Sequence, residues 1–388
     1  MRQLYLAATG QNRGKTTTSL GLLDGFLRRR LRTGFMKPVG QRTVIEDGVP
    51  ADEDAILMRT IFGLPEPLGA MSPVHIPRGF TKAYIAGEVV EDLPARIRAA
   101  HVTFGYHEVL LIEGTGHAGV GAVVGLSNDF VAAMLGDPAI IVSGGGVGRP
   151  IDEIVLNASH FAAHGVHVGG AIVNKVDVDA QPGIAAVLER GLAHEGIPLL
   201  GVLPYRPILS NPTLAMIEEG LRGEVLWPGP DLDLVIGGVA IGAMEPGHML
   251  ERIQPETLVI VPGDREDVIL TLTTAHLMGR ARGGSPAEVS GMAGSDVSSD
   301  RGAGAALGLV LTGGYRPRQP VIDAIRRSNL FATLVGEDTY AVASAVHDLL
   351  VKTHASDREK IALIKELVEE HLDIDRILDV ARPARLAG

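Results

Sequence analysis

The sequence predicts an α/β protein in which helices flank a parallel sheet, followed by a second, smaller α/β domain. Short runs rich in Val, Ile and Leu alternate with longer helical patterns through roughly the first 220 residues, and each run tends to end in Gly, Pro or Asn. The length of 388 residues corresponds to about two domains at roughly 100 to 200 residues each. A Gly-rich turn lies between the first strand and the first helix, which is typical of parallel α/β proteins that bind phosphate groups.

Six strands are expected in the first domain, each a short aliphatic run. The first helix is predicted over 15–31, because Leu20, Leu23, Leu27 and Leu31 recur on one face of a 3.6-residue period. Arginines at its end and the glycine that follows are typical of a helix C-terminus. The expected strands lie near 3–8, 34–39, 108–113, 139–143, 168–174 and 199–203.

The domain boundary is placed where the composition shifts to Pro and Gly, around 223–233, so that the first domain covers 1–222 and the second 223–388. Residues 281–306 are mostly Gly, Ser, Ala and Asp, and ordering them would cost entropy without apolar compensation. We therefore expect a mobile surface loop there. Further strands are expected near 233–240, 257–262, 307–312 and 332–336, and further helices near 265–279, 318–328, 338–352 and 357–370.

The composition excludes several kinds of function. With 35 basic and 46 acidic residues the net charge is −11, which argues against nucleic acid or an anionic membrane as a partner. The absence of cysteine excludes disulfides, cysteine-ligated zinc, iron–sulfur clusters and thiol nucleophiles. No signal-peptide core or apolar stretch of ~18 residues is present, so we expect a cytoplasmic protein.

The clearest chemical signal is the sequence TGQNRGKTT at 9–17, between the first strand and the first helix. In such a P-loop, backbone N–H groups hold a phosphate, Lys15 reaches the β- and γ-phosphates, and the Thr16 hydroxyl holds Mg²⁺. The first glycine falls one position later than in the usual spacing. The alternative is an ordinary Gly-rich turn with a solvated lysine. The predicted nucleotide contacts in this loop are Gly10, Gln11, Asn12, Arg13, Gly14, Lys15, Thr16 and Thr17.

Acidic residues suited to a metal bound beside phosphate follow two predicted elements. Glu113 ends the aliphatic run of 109–112, where it is either a functional carboxylate or the first solvated residue. Asp52, Glu53 and Asp54 form a second cluster, with acids at the first turn of a helix as the alternative.

Other polar residues also follow predicted strands. Lys37 either reaches solvent or faces the γ-phosphate or an anionic substrate. Asn174 can hydrogen-bond a purine edge, and together with Asp177 it matches the Asn-Lys-x-Asp pattern of guanine readers, which keeps GTP open as an alternative to ATP. Arg149 and Asp152 follow a Gly-rich loop and are candidates to line the substrate side.

With these motifs in this order, residues 1 to about 215 resemble the dethiobiotin synthetase-like P-loop family, and more closely the version of that domain at the N-terminus of long bacterial phosphate acetyltransferases. The remainder, with PGDREDVI at 262–269 and LTGG at 311–314, resembles the DRTGG domain that follows it there. The resemblance implies an ATP-binding P-loop NTPase-type domain joined to a regulatory module, without the acetyltransferase catalytic domain, and a dimer formed through the first domain.

Several site residues follow from this resemblance. It implies phosphate and Mg²⁺ contacts at Lys15 and Thr16, metal-side carboxylates at Asp54 and Glu113, a lysine near the γ-phosphate at Lys37, and an adenine contact at Asn174. If the protein is an enzyme, Lys15 and Lys37 are its expected catalytic residues. Gln41 and the sequence EGTGH at 113–117 depart from the synthetase pattern, and these departures concern the substrate side rather than the nucleotide side.

Two further clusters remain open or are set aside. In the second domain, Arg265 either binds an anion at a helix start or faces solvent, with Asp264 capping the helix. His160, His164 and His167 are expected to be surface or core histidines rather than metal ligands, because Gly165 interrupts the helix and no carboxylate completes a set.

Three functions compete. The first is a Mg²⁺-dependent ATP-binding switch whose second domain senses a small molecule. The second is an ATP-dependent ligase or kinase acting on a small carboxylate or carbamate, in which Lys15 and Lys37 neutralise charge on the transferred phosphoryl group. The third is a scaffold that has lost nucleotide binding, against which the intact Gly14-Lys15-Thr16 argues.

Overall fold

The computed structural model describes residues 1–136, 138–282, 306–347, 349 and 352–383, and the chain divides into two compact units. The first unit comprises Met1–Arg206 and Thr353–Gly388, and the second comprises Pro207–Lys352. The mobile loop predicted near 281–306 lies, apart from its ends, outside the described residues.

The first unit alternates strands and helices, because its long strands are aliphatic runs buried on both faces and the segments between them carry helical patterns. Its elements up to residue 204 are β1 (Arg2–Ala8), α1 (Lys15–Arg28), β2 (Thr33–Met36), β3 (Val39–Gly40), β4 (Thr43–Glu46), β5 (Val49–Asp52), α2 (Glu53–Phe62), α3 (Leu68–Met71), β6 (Val74–His75), α4 (Phe80–Ile85), α5 (Leu93–Val102), β7 (Val109–Glu113), α6 (Asn128–Leu135), β8 (Ala139–Ser143), α7 (Gly148–Ala163), β9 (Val168–Val176), α8 (Ile184–His194) and β10 (Leu199–Pro204).

The second unit repeats this alternation, and the chain then returns to the first unit for its last elements. The second unit contains α9 (Pro207–Ser210), α10 (Leu214–Leu221), β11 (Glu224–Trp227), β12 (Gly238–Ile241), α11 (Pro246–Leu250), β13 (Thr257–Pro262), α12 (Glu266–Arg282), β14 (Ala306–Thr312), α13 (Gln319–Ser328), β15 (Phe331–Leu334) and α14 (Thr339–His347). The returning elements are α15 (Arg358–His371), α16 (Ile374–Val380) and β16 (Arg382–Pro383).

The main sheet of the first unit has the strand order β10-β9-β8-β1-β7-β2, with all neighbours parallel and β16 paired antiparallel to β1. Leu6 of β1 lies beside Glu113 of β7, and Ala8 lies beside Val142 of β8. The carboxyl ends of these strands therefore meet at one edge of the sheet, where the loops that follow them converge. This confirms the predicted parallel sheet flanked by helices.

The second unit is built on a smaller sheet with the order β11-β15-β14-β13-β12, in which only β11 runs antiparallel to its neighbour. Successive residues of β13 point to opposite faces: Leu258 and Ile260 join one apolar cluster, whereas Val259 and Val261 join another. Each face of the sheet is thus covered by its own core, and the predicted second α/β domain is confirmed.

The six strands predicted for the first domain correspond to β1, β2, β7, β8, β9 and β10, although β2 already ends at Met36. The sequence did not predict the two small sheets formed by β3 with β6 and by β4 with β5. It also missed β11, which lies inside the region predicted as a domain junction, and the strand expected at 233–240 begins only at Gly238. These short or peripheral strands carry little aliphatic pattern.

The predicted domains 1–222 and 223–388 are corrected at two places, because residues 207–222 belong to the second unit and residues 353–388 belong to the first. The physical reason for the return of 353–388 is close packing between α15 and α1. Gly21 of α1 has no side chain, and a Cβ at that position would lie 2.3 Å from a methyl group of Val368. Ile364 and Val368 of α15 are fully buried. No described helix in either unit is long and apolar enough to cross a membrane.

Candidate nucleotide-binding site

The loop between β1 and α1 is shaped to present backbone N–H groups. Gly14 precedes α1 with φ 94°, a left-handed conformation that glycine adopts without strain, and Asn12 is also left-handed at φ 57°. Among the residues that the structure describes, no side chain caps the first turn of α1. The N–H groups of that turn are therefore available to an anion, and the helix dipole favours negative charge at the same point.

Lys15 occupies the first position of α1, in surroundings that disfavour its charge. Burial, followed by the positive charge of Lys37, lowers the pKa of Lys15 to about 8, and the carboxylates of Glu113 and Asp54 only partly oppose this shift. Within the described part of the chain, both of those carboxylates are paired with Lys37 rather than with Lys15. An anionic ligand would supply the counter-charge that Lys15 lacks.

Four side chains from different elements meet beside Lys15. The Thr16 hydroxyl donates to Asp54 Oδ1 at 3.1 Å and approaches Glu113 Oε1 at 3.4 Å. Lys37 Nζ lies 2.6 Å from both Asp54 Oδ2 and Glu113 Oε1. Ser19 donates to the other oxygen of Glu113 at 2.6 Å. The structure thus brings together the predicted residues Thr16, Lys37, Asp54 and Glu113.

The electrostatics of this cluster are dominated by burial. Burial raises the pKa of Glu113 to about 7, with Lys37 opposing the rise and Asp54 adding to it. Burial also acts to raise the pKa of Asp54, but the charge of Lys37 and the hydrogen bonds to Lys37, Glu113 and Thr16 together outweigh it and hold that pKa at about 2. For Lys37, burial acts to lower the pKa, and the two carboxylates more than compensate and raise it. Lys37 is therefore a permanent cation between two acids.

The acidic cluster at 52–54 divides into two roles. Asp52 caps α2: its Oδ1 accepts from the N–H of Asp54 at 3.1 Å, and its Oδ2 accepts from the N–H groups of Gln41 and Arg42. Asp54 instead directs its carboxylate to Thr16. The capping interpretation therefore holds for Asp52, and the metal-side role of Asp54 stays a prediction.

Asn174, at the end of β9, contacts the loop that follows β1. Its side-chain amide donates to the carbonyl of Arg13 at 3.1 Å, and its Oδ1 accepts from the N–H of Lys175 at 2.8 Å. A Cβ on Gly14 would lie 1.8 Å from Asn174 Nδ2. Asn174 therefore braces the loop, and its contact with a base stays a prediction. Asp177 accepts from the N–H of Ala180 at 3.0 Å.

Sequence reasoning missed Glu153, which lies on α7 and holds the other side of the loop. Its carboxylate pairs with Arg13 at 3.3 Å and accepts from the Thr9 hydroxyl at 2.9 Å. Arg149 also pairs with Glu153, at 2.7 Å, so this arginine supports the loop instead of standing alone. The Gly-rich loop before α7 pointed to this part of the chain and led to the prediction of Asp152. The neighbouring acid, Glu153, makes the contact with the loop.

Asn128 is a second residue that the sequence did not reveal. It is buried at the start of α6, where its Oδ1 accepts from Tyr5 and from the N–H of Thr115, both at 2.8 Å. Its amide donates to the carbonyls of Thr115 and His117 at 2.7 and 2.6 Å. These bonds fix the loop that follows Glu113.

In the second unit, Arg265 is engaged within the protein. It pairs with Asp267 at 2.9 Å and donates to the carbonyl of Met244 at 3.0 Å. Its guanidinium is therefore held in place instead of facing solvent freely. Gly263 lies close to Tyr315. A Cβ on Gly263 would be 1.8 Å from the backbone carbonyl oxygen of Tyr315.

The expectation that no carboxylate accompanies the histidines of α7 is wrong. Asp129, from α6, lies beside His160 and His164. The local sequence around the histidines does not contain Asp129, because this carboxylate comes from a separate helix more than thirty positions earlier in the chain. His167 is exposed, and the cluster identified in the described residues does not include it.

The fold and this site define a P-loop α/β protein. Residues 2–213, more than half of the chain, match the AAA domain family, and residues 216–349 match the DRTGG domain. The chain therefore belongs to this AAA domain family, with a DRTGG domain following.

Curated relatives extend over nearly all of the chain. It is 27% identical over 392 residues to a phosphate acetyltransferase of Pseudomonas putida, which covers 96% of this chain and 51% of that protein. It is 24% identical over 401 residues to a phosphate acetyltransferase of Synechocystis sp., which covers 99% of this chain and 52% of that protein. The chain spans about half the length of the curated relatives that it matches.

Solved structures show more distant similarity. The cell division ATPase MinD of Pyrococcus furiosus is 14% identical with a TM-score of 0.33, over 54% of this chain and 86% of that one. The CBS and DRTGG domains of a Clostridium perfringens pyrophosphatase, complexed with diadenosine tetraphosphate, are 14% identical with a TM-score of 0.27, over 51% of this chain and 86% of that one.

Proposed function

We propose that the first unit binds ATP with Mg²⁺ and that the second unit is a ligand-sensing module, so that the protein acts as a nucleotide-dependent switch. The observation that carries this proposal is Lys15, a half-buried lysine that forms no ion pair with the described residues and lies at an uncapped helix N-terminus, in surroundings that lower its pKa. Such a position is suited to phosphate groups, because they bring both negative charge and acceptors for backbone N–H groups.

The side chains next to Lys15 fit a magnesium ion. Thr16, Asp54 and Glu113 offer one hydroxyl and two carboxylates, and Mg²⁺ prefers such oxygen ligands. Bound there, Mg²⁺ would supply charge neutralisation for the phosphates. Lys37 neutralises the same carboxylates in the present arrangement, so the ion and Lys37 compete for the same oxygens.

The sensing role rests on the second unit. A cavity of about 570 Å³ opens between the end of α10 and the ends of β11 and β15, a volume in the range of small-molecule sites. Arg222, Glu224 and Glu337 line it. These charged groups favour a polar ligand. Such a ligand could bind as an effector without taking part in a reaction.

The alternative is an ATP-dependent ligase or kinase acting on a small carboxylate or carbamate. It is favoured by the presence of two ammonium groups, Lys15 and Lys37, in one site, because both would stabilise negative charge on a phosphoryl group in transfer. It requires Lys37 to face a substrate, whereas Lys37 is now held by two carboxylates. Nucleotide turnover stimulated by one member of a panel of small carboxylic acids and amines would establish the enzyme and displace the switch.

The proposal is tested by calorimetric titration of ATP with Mg²⁺. We expect Lys15→Ala to abolish Mg²⁺-dependent binding, since it removes the half-buried cation, and Lys82→Ala on α4 to leave the affinity unchanged. Unchanged affinity in the Lys15 variant would defeat both the switch and the ligase. Competition between ATP and GTP decides the base, and a clear preference for GTP would make Asn174 and Asp177 guanine readers.

A further inference from the structure

The carboxylate of Asp129 is buried in an unusual state. The residue has no exposed surface, and neither carboxylate oxygen accepts a hydrogen bond from the described residues. A carboxylate removed from water without hydrogen bonds is strongly destabilised unless a positive charge lies beside it. A positive charge beside Asp129 would therefore stabilise its ionised form.

Two imidazoles face this carboxylate. His160 Nε2 lies 3.2 Å and His164 Nδ1 lies 2.5 Å from Asp129 Oδ2, and one ligand atom from each of the three residues lies within 4.8 Å of the others. The histidines are four residues apart at the end of α7, so they share one face. Each is about half exposed, at 47% and 48%, which gives an ion from solvent direct access.

We propose that Asp129, His160 and His164 form a binding site for a divalent transition-metal cation such as Zn²⁺. Two imidazole nitrogens and one carboxylate oxygen are ligands of the borderline-soft type that zinc accepts, whereas Mg²⁺ prefers oxygen alone. Bonds of about 2.0 Å in a tetrahedron place ligand atoms about 3.3 Å apart. The 3.2 Å between His160 and Asp129 is close to this separation, and the 2.5 Å between His164 and Asp129 would have to lengthen when a metal binds. The open side towards solvent leaves a position for water.

The competing explanation is an ion pair in which one or both histidines are protonated and no metal binds. His164 Nδ1 also lies 3.3 Å from the carbonyl oxygen of His160, a contact that suits a protonated nitrogen. A metal requires an unprotonated nitrogen on each ring. The two explanations therefore differ in stoichiometric metal binding and in the effect of neutralising Asp129.

The position of the site gives it a structural consequence. Asp129 follows Asn128, which fixes the loop after β7, and α7 also carries Glu153, which holds Arg13. A metal joining α6 to α7 would tie together the two helices that support loops of the nucleotide site. The metal site itself does not depend on nucleotide binding.

The test is calorimetric titration of the metal-free full-length protein with Zn²⁺ near pH 7.5, in excess Mg²⁺ to occupy oxygen-only sites. We expect one Zn²⁺ per chain, a rise in melting temperature, and loss of affinity by at least about tenfold in His160→Ala/His164→Ala. His167→Ala/His194→Ala, which removes two exposed histidines from the same region, is the matched control and should bind Zn²⁺ like the parent. Co²⁺ should give the visible absorption of a four-coordinate site.

Asp129→Asn separates the metal site from the ion pair. If the residue serves to hold a metal, the amide variant loses Zn²⁺ binding while the metal-free protein melts at the same temperature or higher, since an uncompensated charge has been removed. Absence of stoichiometric Zn²⁺ in the parent, equal binding by the His160/His164 variant, or a fall in the melting temperature of metal-free Asp129→Asn would overturn the proposal.

Discussion

Among single residues, Lys37 has the largest influence on the charges of its neighbours Asp54, Glu113 and Lys15 in the candidate nucleotide site. It lies 2.6 Å from both Asp54 and Glu113, so one ammonium pairs with the buried carboxylate of Glu113 and the partly exposed carboxylate of Asp54. Lys15 then experiences Lys37 as a repelling charge and lacks a carboxylate of its own. The surroundings of Lys15 therefore disfavour its positive charge, and an anion bound beside it would offset this effect.

Gly14 is a position at which adding a single methyl group should disturb the phosphate-binding loop strongly. An alanine there would adopt φ 94° and place its Cβ 1.8 Å from Asn174 Nδ2, so both the loop and Asn174 would have to move. The backbone term alone costs about 1–2 kcal/mol. We predict that Gly14→Ala lowers ATP affinity about tenfold or more in calorimetry, since about 1.4 kcal/mol corresponds to a factor of ten.

Gly10→Ala is the matched control for this prediction. The nearest atom to a Cβ on Gly10 is the side-chain Nε of Arg13 at 3.6 Å, an ordinary contact. Its affinity should therefore stay within a few-fold of the parent. Equal losses in the two variants would mean that the shape of the loop at Gly14 does not matter for binding.

Helix α15 supports the P-loop unit at the level of elements. It packs on α1, the helix that begins at Lys15, and the close approach depends on the missing side chain of Gly21. Because a Cβ on Gly21 would lie 2.3 Å from Val368, the two helices cannot keep their distance with alanine at this point. The position of α1 is thus set partly by residues near the end of the chain.

We predict that Gly21→Ala destabilises the first unit by up to about 2 kcal/mol, because overpacking costs about 1–3 kcal/mol and the gain in helix propensity offsets about 1 kcal/mol of it. Val368→Ala removes the two methyl groups that would lie 2.3 and 2.8 Å from the new Cβ but keeps its own Cβ at 2.4 Å, so it should relieve the clash in part. The destabilisation of the double variant should therefore be smaller than the sum of the two single effects. Urea unfolding followed by circular dichroism measures all three variants.

Gly69→Ala provides the comparison, since nothing lies within 4 Å of a Cβ there and α3 is already helical. It should leave stability unchanged or raise it slightly. A purely additive double variant at 21 and 368 would rule out the proposed contact.

The central elements of both sheets could be predicted because each is an aliphatic run between Gly, Pro or Asn residues. Lys37 and Glu113 were found for the same reason, since they follow such runs and parallel strands bring their ends together. Asp129 and Glu153 lie inside helices, where an acid is unremarkable in sequence. Their roles arise from contacts with residues far away in the chain, since Asp129 faces His160 and His164 and Glu153 holds Thr9 and Arg13, and a local pattern does not contain such contacts.

The whole molecule is organised differently from its linear order. Residues 207–352 form the second unit, yet the chain afterwards returns to complete the first. The predicted boundary was placed by composition, which marks the place where one pattern stops and cannot show that a later segment belongs to an earlier domain. The family matches end before this segment, at residue 349.

We predict that a chain ending at residue 352 has a much less stable first unit and an unchanged second unit. Ile364, Val368, Ile374 and Ile377 are buried, and each buried aliphatic side chain contributes about 1.5–3 kcal/mol. Their combined loss is comparable with the whole stability of a typical domain, about 5–15 kcal/mol. The shortened chain should therefore lose the unfolding transition of the first unit in calorimetry, or show it at a much lower temperature.

The single tryptophan of the chain makes this prediction specific to one unit. Trp227 lies in β11 of the second unit, where its indole N–H donates to Asn329 at 2.9 Å. Its fluorescence should report the same unfolding midpoint in the full and shortened chains, while circular dichroism and ATP binding report the loss in the first unit. A parallel shift of the tryptophan transition would show that the segment stabilises both units, and an unshifted first-unit transition would show that α15 and α16 are dispensable to α1.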